Sequence, residues 1–211
     1  MAARAVFGVE LVAQVLFKQI QGSILSSKKI YLRRILQMLG LDVDTLKGKT
    51  VLNVGCGPAG MFILLNESNV TALDPLLDKY DQTLASFNKS DYPHTRFISR
   101  LVEEYSPTQK YDFIFAINML DHVNNLTQTA MVLHSALKAE DGQLIVLVDS
   151  HRSRLLKLLM KIIPVNPLHP NSLSLEDYLK IFQNQNLTCT RQLIFAKKLF
   201  FDYQLLVFRK D

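Results

Sequence analysis

Ten residues constrain this chain more than any others: Val51-Leu52-Asn53-Val54-Gly55-Cys56-Gly57-Pro58-Ala59-Gly60. An apolar run suited to a buried strand passes without a spacer into a loop rich in glycine. A helical pattern from Gly60 to Asn66 follows. Strand, glycine loop and helix in that order form the setting of a nucleotide-binding turn. Gly55 and Gly57 permit tight turning and close approach of the backbone to a ligand. Gly60 lets the next helix start close to the sheet. A strand of this kind needs neighbours on both sides, so the loop demands a sheet with covered faces.

The rest of the chain supplies that sheet. After Lys49 to Val54, strand patterns recur at Val70 to Leu73, Arg96 to Ser99, Tyr111 to Ile117 and Gly142 to Val148. Helical patterns lie between them, at Leu76 to Asn88 and Leu126 to Leu137. Strands that are apolar throughout and alternate with helices predict a parallel sheet covered on both faces. The rhythm then breaks. Leu173 to Gln185 reads as a helix, with Ser174 as N-cap and Asp177 three residues on. Two β-rich runs follow, Leu187 to Ala196 and Leu199 to Arg209, separated only by Lys197 and Lys198. So short a link requires an antiparallel hairpin. The predicted fold is therefore α/β: a Rossmann-like seven-stranded sheet, mostly parallel, with a C-terminal antiparallel hairpin and helices on both faces.

With 211 residues, 48% of them hydrophobic and 20% charged, the chain suits one globular domain with a full core. Residues 1–48 are expected to cap the sheet as part of that domain, with residues 49–211 forming the sheet itself. Lys28 to Leu39 reads as a helix with a basic side made of Lys28, Lys29, Arg33 and Arg34. Ala5 to Ile20 is apolar but interrupted by Glu10, Gln14, Lys18 and Gln19, too broken for a membrane span or a signal peptide. Val9, Val12, Leu16 and Ile20 fall on one face of an amphipathic helix. Cys56 and Cys189 are the two cysteines. They make no disulfide framework and no zinc-binding spacing, so no metal is expected and a reducing, cytoplasmic setting is the simpler inference. The formal charge of +5 suits an anionic partner or a soluble protein with a slight lysine excess. The sequence carries no signature of an oligomeric state.

Together the loop and the strand ends resemble the class I, Rossmann-like S-adenosylmethionine-dependent methyltransferases, in their small-molecule branch. The resemblance covers about 49 to 209. The first motif of that family reads acidic-x-Gly-x-Gly-x-Gly, which places Asn53, Gly55, Cys56, Gly57 and Gly60 at the cofactor. Asn53 departs from the usual acid there: an amide can orient the loop but cannot balance the ammonium of the ligand. Pro58 removes a backbone donor where a dinucleotide pyrophosphate would want one, which favours S-adenosylmethionine over NAD. Asp74 ends the second strand seventeen residues after Gly57, near the spacing at which an acid meets ribose hydroxyls. The resemblance places Pro75 beside it at the cofactor; the bland alternative for Asp74 is a turn residue ahead of that proline. The resemblance also implies an adenine contact near Val102 and Glu103. It further implies that Asn118 and Met119 run beneath the methionine part.

For the acceptor side, Ile117-Asn118-Met119-Leu120-Asp121-His122-Val123 resembles the Leu-x-His-Val strand end of small-molecule enzymes. It lacks the Asn/Asp-Pro-Pro-aromatic motif of enzymes that methylate base amines, which argues against a nucleic acid acceptor. His122 is a candidate general base, since histidine as a residue type titrates near neutrality; the alternative is a helix cap. His169, followed by Pro170, is a second candidate, with a Pro-flanked turn as the alternative. Leu155 to Ile163, carrying Lys157 and Lys161, is a basic amphipathic run that can close over a substrate or lie peripherally on an anionic membrane. The expected function is methyl transfer to a small, anionic molecule, at a hydroxyl oxygen. An RNA or anionic lipid acceptor, or a catalytically silent cofactor-binding member, are the rival readings.

Overall fold

The computed structural model describes residues 22–151, 173–197 and 201–211. A helix over 22–38 (α1) and a single turn at Asp44–Leu46 precede the sheet. Then follow β1 (Thr50–Val54), β2 (Asn69–Leu73), α2 (Leu77–Thr83), β3 (Thr95–Ile98), β4 (Phe113–Ile117), α3 (Leu126–Ala136) and β5 (Gln143–His151). After these come α4 (Leu175–Gln183), β6 (Leu187–Lys197) and β7 (Phe201–Lys210). The Ala5 to Ile20 helix, the basic run after Ser153 and His169 lie outside the described residues.

The seven strands are ordered β3-β2-β1-β4-β5-β7-β6. The first five are parallel, and β7 pairs antiparallel with both β5 and β6. This is the predicted sheet with its terminal hairpin. The order reverses between β1 and β4, which opens a crevice at their carboxyl ends, the usual ligand site of open α/β sheets.

Two cores lie on the two faces. One packs α3 and α4 on the sheet through Leu133, Ala136, Tyr178 and Phe182. The other packs α1 through Leu32, Ile35 and Leu36, together with Met61, Phe62 and Leu77. The α1 residues recur at helical spacing, so the apolar stripe faces the sheet; on the basic side Arg33 is exposed, while Lys28 is half-buried and the Arg34 guanidinium lies against Phe195. Helix α4 starts with a full capping box: Ser174 Oγ accepts from the Asp177 N–H, and the Asp177 carboxylate accepts from Ser174 N–H.

Helix α1 starts at 22, ahead of the expected Lys28, α2 stops at Thr83, short of the expected Asn88, and one element changes type. The helix predicted from Gly60 to Asn66 is a single 3₁₀ turn, Met61–Ile63. Met61, Phe62, Leu64 and Leu65 are all buried. All four join the core that packs α1 on the sheet. The Met61 N–H is also taken by a side chain, at 2.6 Å from Asn53 Oδ1, which fixes the start of the turn.

Candidate functional site

The glycine loop sits at the crevice, and its glycines answer to separate steric demands. Gly55 has φ +58°, and a Cβ there would lie 2.4 Å from Met119 Cβ. The loop and the end of β4 are thus in contact only because Gly55 lacks a side chain. A Cβ at Gly60 would lie 2.2 Å from Asn53 Oδ1 and 2.7 Å from Cys56 Cβ.

Asn53 is buried, with 2% exposure. Its Oδ1 accepts from Met61 N–H, and its Nδ2 donates to Phe115 O at 3.4 Å. The side chain therefore ties β1 to the turn and to β4. A carboxylate here would set a negative oxygen against the Phe115 carbonyl. The Asn that departs from the family's usual acid is the residue type this neighbourhood requires.

Asp74 holds the other side of the loop. Its Oδ2 accepts from Gly57 N–H at 3.0 Å, and its Oδ1 accepts from Leu76 N–H at 2.9 Å. Each oxygen keeps a second lone pair for a further donor. A turn role and a ligand role are thus compatible at this residue. Cys56, beside it, is buried, and both burial and the Asp74 charge push its thiol pKa well up.

Loop, acid and strand ends enclose a cavity of about 350 Å³. Val54, Gly55, Leu73, Asp74 and Pro75 form one side; Leu101, Val102 and Glu103 form another. Asn118, Met119, His122 and Val123 close it from β4. Glu103 is engaged by backbone as well: its Oε1 accepts from Asn124 N–H at 2.7 Å and Asn125 N–H at 3.2 Å, ahead of α3. Tyr80, Leu76 and Arg100 also line the cavity; no motif marks them.

His122 lies on this wall, with its Nε2 3.4 Å from a carboxylate oxygen of the buried Asp121. Asn118, at the end of β4, has φ +51°, a left-handed conformation that Asn tolerates better than most residues. Its Nδ2 donates to Tyr31 Oη at 2.9 Å.

Asn118 also lines a second cavity, of about 590 Å³, between α1 and the hairpin. Lys28 and Tyr31 come from α1, Phe195 and Ala196 from β6, and Tyr203 from β7. The register of β6 slips between Ile194 and Ala196. Such a bulge re-aims side chains, and here Phe195 is buried while Ile194 is 45% exposed. Among the described residues no group of three His, Cys, Asp or Glu is arranged to hold a metal. No helix among them is long and apolar enough to cross a membrane.

Sheet order, glycine loop and the acid after β2 define a Rossmann-like domain of the class I methyltransferase type. A family profile described as a methyltransferase domain matches residues 27–192, and the chain belongs to that family, whose cofactor is S-adenosylmethionine. It is 26% identical over 113 residues to the ubiquinone biosynthesis O-methyltransferase of Rickettsia bellii, a match covering 52% of this chain and 46% of the relative. The match thus spans less than half the length of that relative. Among solved structures, the N-methyltransferase NodS from Bradyrhizobium japonicum superposes with TM-score 0.61 at 16% identity, covering 84% of this chain and 94% of that one. The magnesium protoporphyrin IX methyltransferase of Synechocystis, with bound S-adenosylhomocysteine, gives 0.56 at 19%, covering 93% and 84%.

Proposed function

We propose that this chain transfers a methyl group from S-adenosylmethionine to a hydroxyl oxygen of a small molecule, in the cytoplasm. One observation carries the reading: Asn118 is a wall of both cavities, the one ringed by the glycine loop and Asp74 and the larger one beyond it. Two ligands held on either side of one residue are close enough to react, and proximity with orientation is the main service such a domain performs. The O-methyltransferase name of the Rickettsia relative supports oxygen as the acceptor atom.

The residues present suit the cofactor. Asp74 offers spare lone pairs to a ribose diol, Leu101, Val102 and Val123 an apolar slot, and Gly55 a floor without side chains. Asn53, Cys56 and Gly60 act from below by holding the loop in shape. When bound, S-adenosylmethionine supplies an electrophilic methyl: as the acceptor oxygen bonds to it the carbon–sulfur bond breaks, and sulfur keeps the electron pair. The hydroxyl proton must leave, and we assign it to His122, which Asp121 would orient and stabilise once charged.

Calorimetric titration tests the cofactor: S-adenosylmethionine and S-adenosylhomocysteine should bind with comparable strength, and NAD should not. Binding of NAD alone would overturn the reading. With an acceptor found by mass spectrometry, His122→Ala should lower the rate of methyl transfer and leave cofactor affinity intact. An unchanged rate in the variant would remove His122 as base.

A further inference from the structure

The cavity between α1 and the hairpin has a composition of its own. Its aromatic wall is fixed in advance. The Phe195 ring meets Tyr31 edge-on at 5.2 Å between centroids. From another direction the Arg34 guanidinium lies 4.9 Å from the Phe195 ring centre and donates to the Phe195 carbonyl oxygen at 3.3 Å. Tyr31 is itself held, since its hydroxyl accepts from Asn118 Nδ2. A ring clamped on two sides is a rigid platform that costs little entropy when a flat ligand settles on it.

The same cavity carries one cation from α1. Lys28 is half-buried, and its ammonium sits 5.2 Å from the centre of the Tyr31 ring. Burial lowers its pKa from the ordinary lysine value. Among the described residues no carboxylate pairs with it. The ring face compensates part of the lost hydration, but a cation–π contact is weaker than an ion pair with hydrogen bonds. An anion beside Lys28 would restore what burial removes.

We propose that this cavity is the acceptor chamber, and that it takes a planar aromatic molecule bearing one anionic group, which Lys28 reads while Tyr31 and Phe195 hold the ring. The assignment rests on the methyltransferase reading above and adds the ligand class and its selecting residues. Asn118 then does two jobs at the end of β4: its backbone turns the chain between the cavities, and its amide locks Tyr31 in the acceptor wall.

The test uses two probes of matched shape, 3-hydroxy-2-naphthoate and the neutral 2-naphthol, titrated into the protein with and without saturating S-adenosylhomocysteine. The naphthoate should bind at least about tenfold tighter than the naphthol, the usual scale of one charge-assisted contact. Lys28→Met should bring the ratio near one by weakening the naphthoate alone, and Lys28→Arg should keep most of the preference. Phe195→Ala should weaken both probes several-fold. S-adenosylhomocysteine affinity, measured separately, should not move in any of these variants, which also shows that they fold. Equal binding of both probes, binding of neither, or a preference that survives Lys28→Met would overturn the chamber assignment and leave the methyltransferase reading standing. Failure of S-adenosylhomocysteine to bind the unaltered protein would overturn that reading instead, while the probe ratio without cofactor still decides the ligand class.

Discussion

The two cavities at the carboxyl edge of the sheet are neighbours built on opposite plans. The cofactor cavity is local in sequence. Strand β1 runs straight into the loop, β2 straight into Asp74, and β4 straight into Asn118 and Met119, so each wall is the end of a strand. The acceptor cavity is assembled from afar. Arg34 donates to a carbonyl 161 residues away at Phe195, and Tyr31 accepts from Asn118 across 87 residues. In the first cavity the groups that would touch ligand also hold the backbone. In the second, Tyr31 and Phe195 also join α1 to the hairpin, and Lys28 is the group that faces the cavity with no ion-pair partner among the described residues. Substitutions on the cofactor side should therefore injure fold and binding together, whereas replacing Lys28 on the acceptor side should alter selectivity with little loss of stability.

The sharpest way to break this contrast is Gly55→Ala. The new methyl would meet Met119 Cβ at 2.4 Å in a left-handed backbone. We expect a loss of about 2–4 kcal/mol in stability from overpacking and backbone strain, with cofactor binding abolished. Chemical denaturation and calorimetry measure the two effects. A variant of full stability that no longer binds cofactor would show that loop shape and ligand contact are separable after all.

Asp74→Ala comes next. It removes acceptors from Gly57 and Leu76 N–H together with the proposed ribose contact. Cofactor affinity should fall by about 1–3 kcal/mol, with a melting temperature also lower than that of the unaltered protein. An unchanged dissociation constant beside a lower melting temperature would assign Asp74 to the turn alone.

Smaller still is the effect of restoring the family's usual acid. Asn53→Asp should destabilise the fold by about 1–2 kcal/mol, because it loses the donor to Phe115 O and buries a charge beside a carbonyl. Tighter cofactor binding with unchanged stability would show that the amide is a defect, contrary to its hydrogen bonds.

The same contrast explains which features are legible in the sequence. Loop, acid and strand ends were legible because each lies on one unbroken stretch with a period or a spacing. The capping box at Ser174 and Asp177 and the hairpin were legible for the same reason. The turn at Met61–Ile63 was not, since a five-residue apolar run looks alike whether it coils as a helix or folds inward. In the sequence Lys28 reads only as one charge on a basic side. Tyr31, Phe195 and Tyr203 carried no signal, because what unites them is a bulge at Ile194 and the way α1 crosses the sheet.

The opposite edge of the sheet provides a control for both cavities. Asp112, just before β4, accepts from Thr50 N–H at 2.8 Å and Oγ1 at 2.7 Å, and from Lys138 Nζ at 2.7 Å. It thereby joins the start of β1, the start of β4 and the segment after α3. Burial pushes the carboxyl pKa up, but the hydrogen bonds from Lys138 and Thr50 outweigh it and hold the value at about 2. A carboxyl depressed in the folded state contributes stability above its unfolded value, near 4, and loses it as pH falls through about 2. The contribution should be no more than about 1–2 kcal/mol, because Lys138 is partly exposed and solvent screens the pair. Asp112→Asn cannot titrate, so its stability should not show this loss between about pH 4 and pH 2. At neutral pH it should be slightly less stable than the unaltered protein and bind S-adenosylhomocysteine equally well. Urea denaturation at several pH values, with calorimetry at pH 7, gives both readings. A drop in cofactor affinity would mean that the two edges of the sheet are coupled, and that the division between frame and ligand wall ends short of the cofactor side.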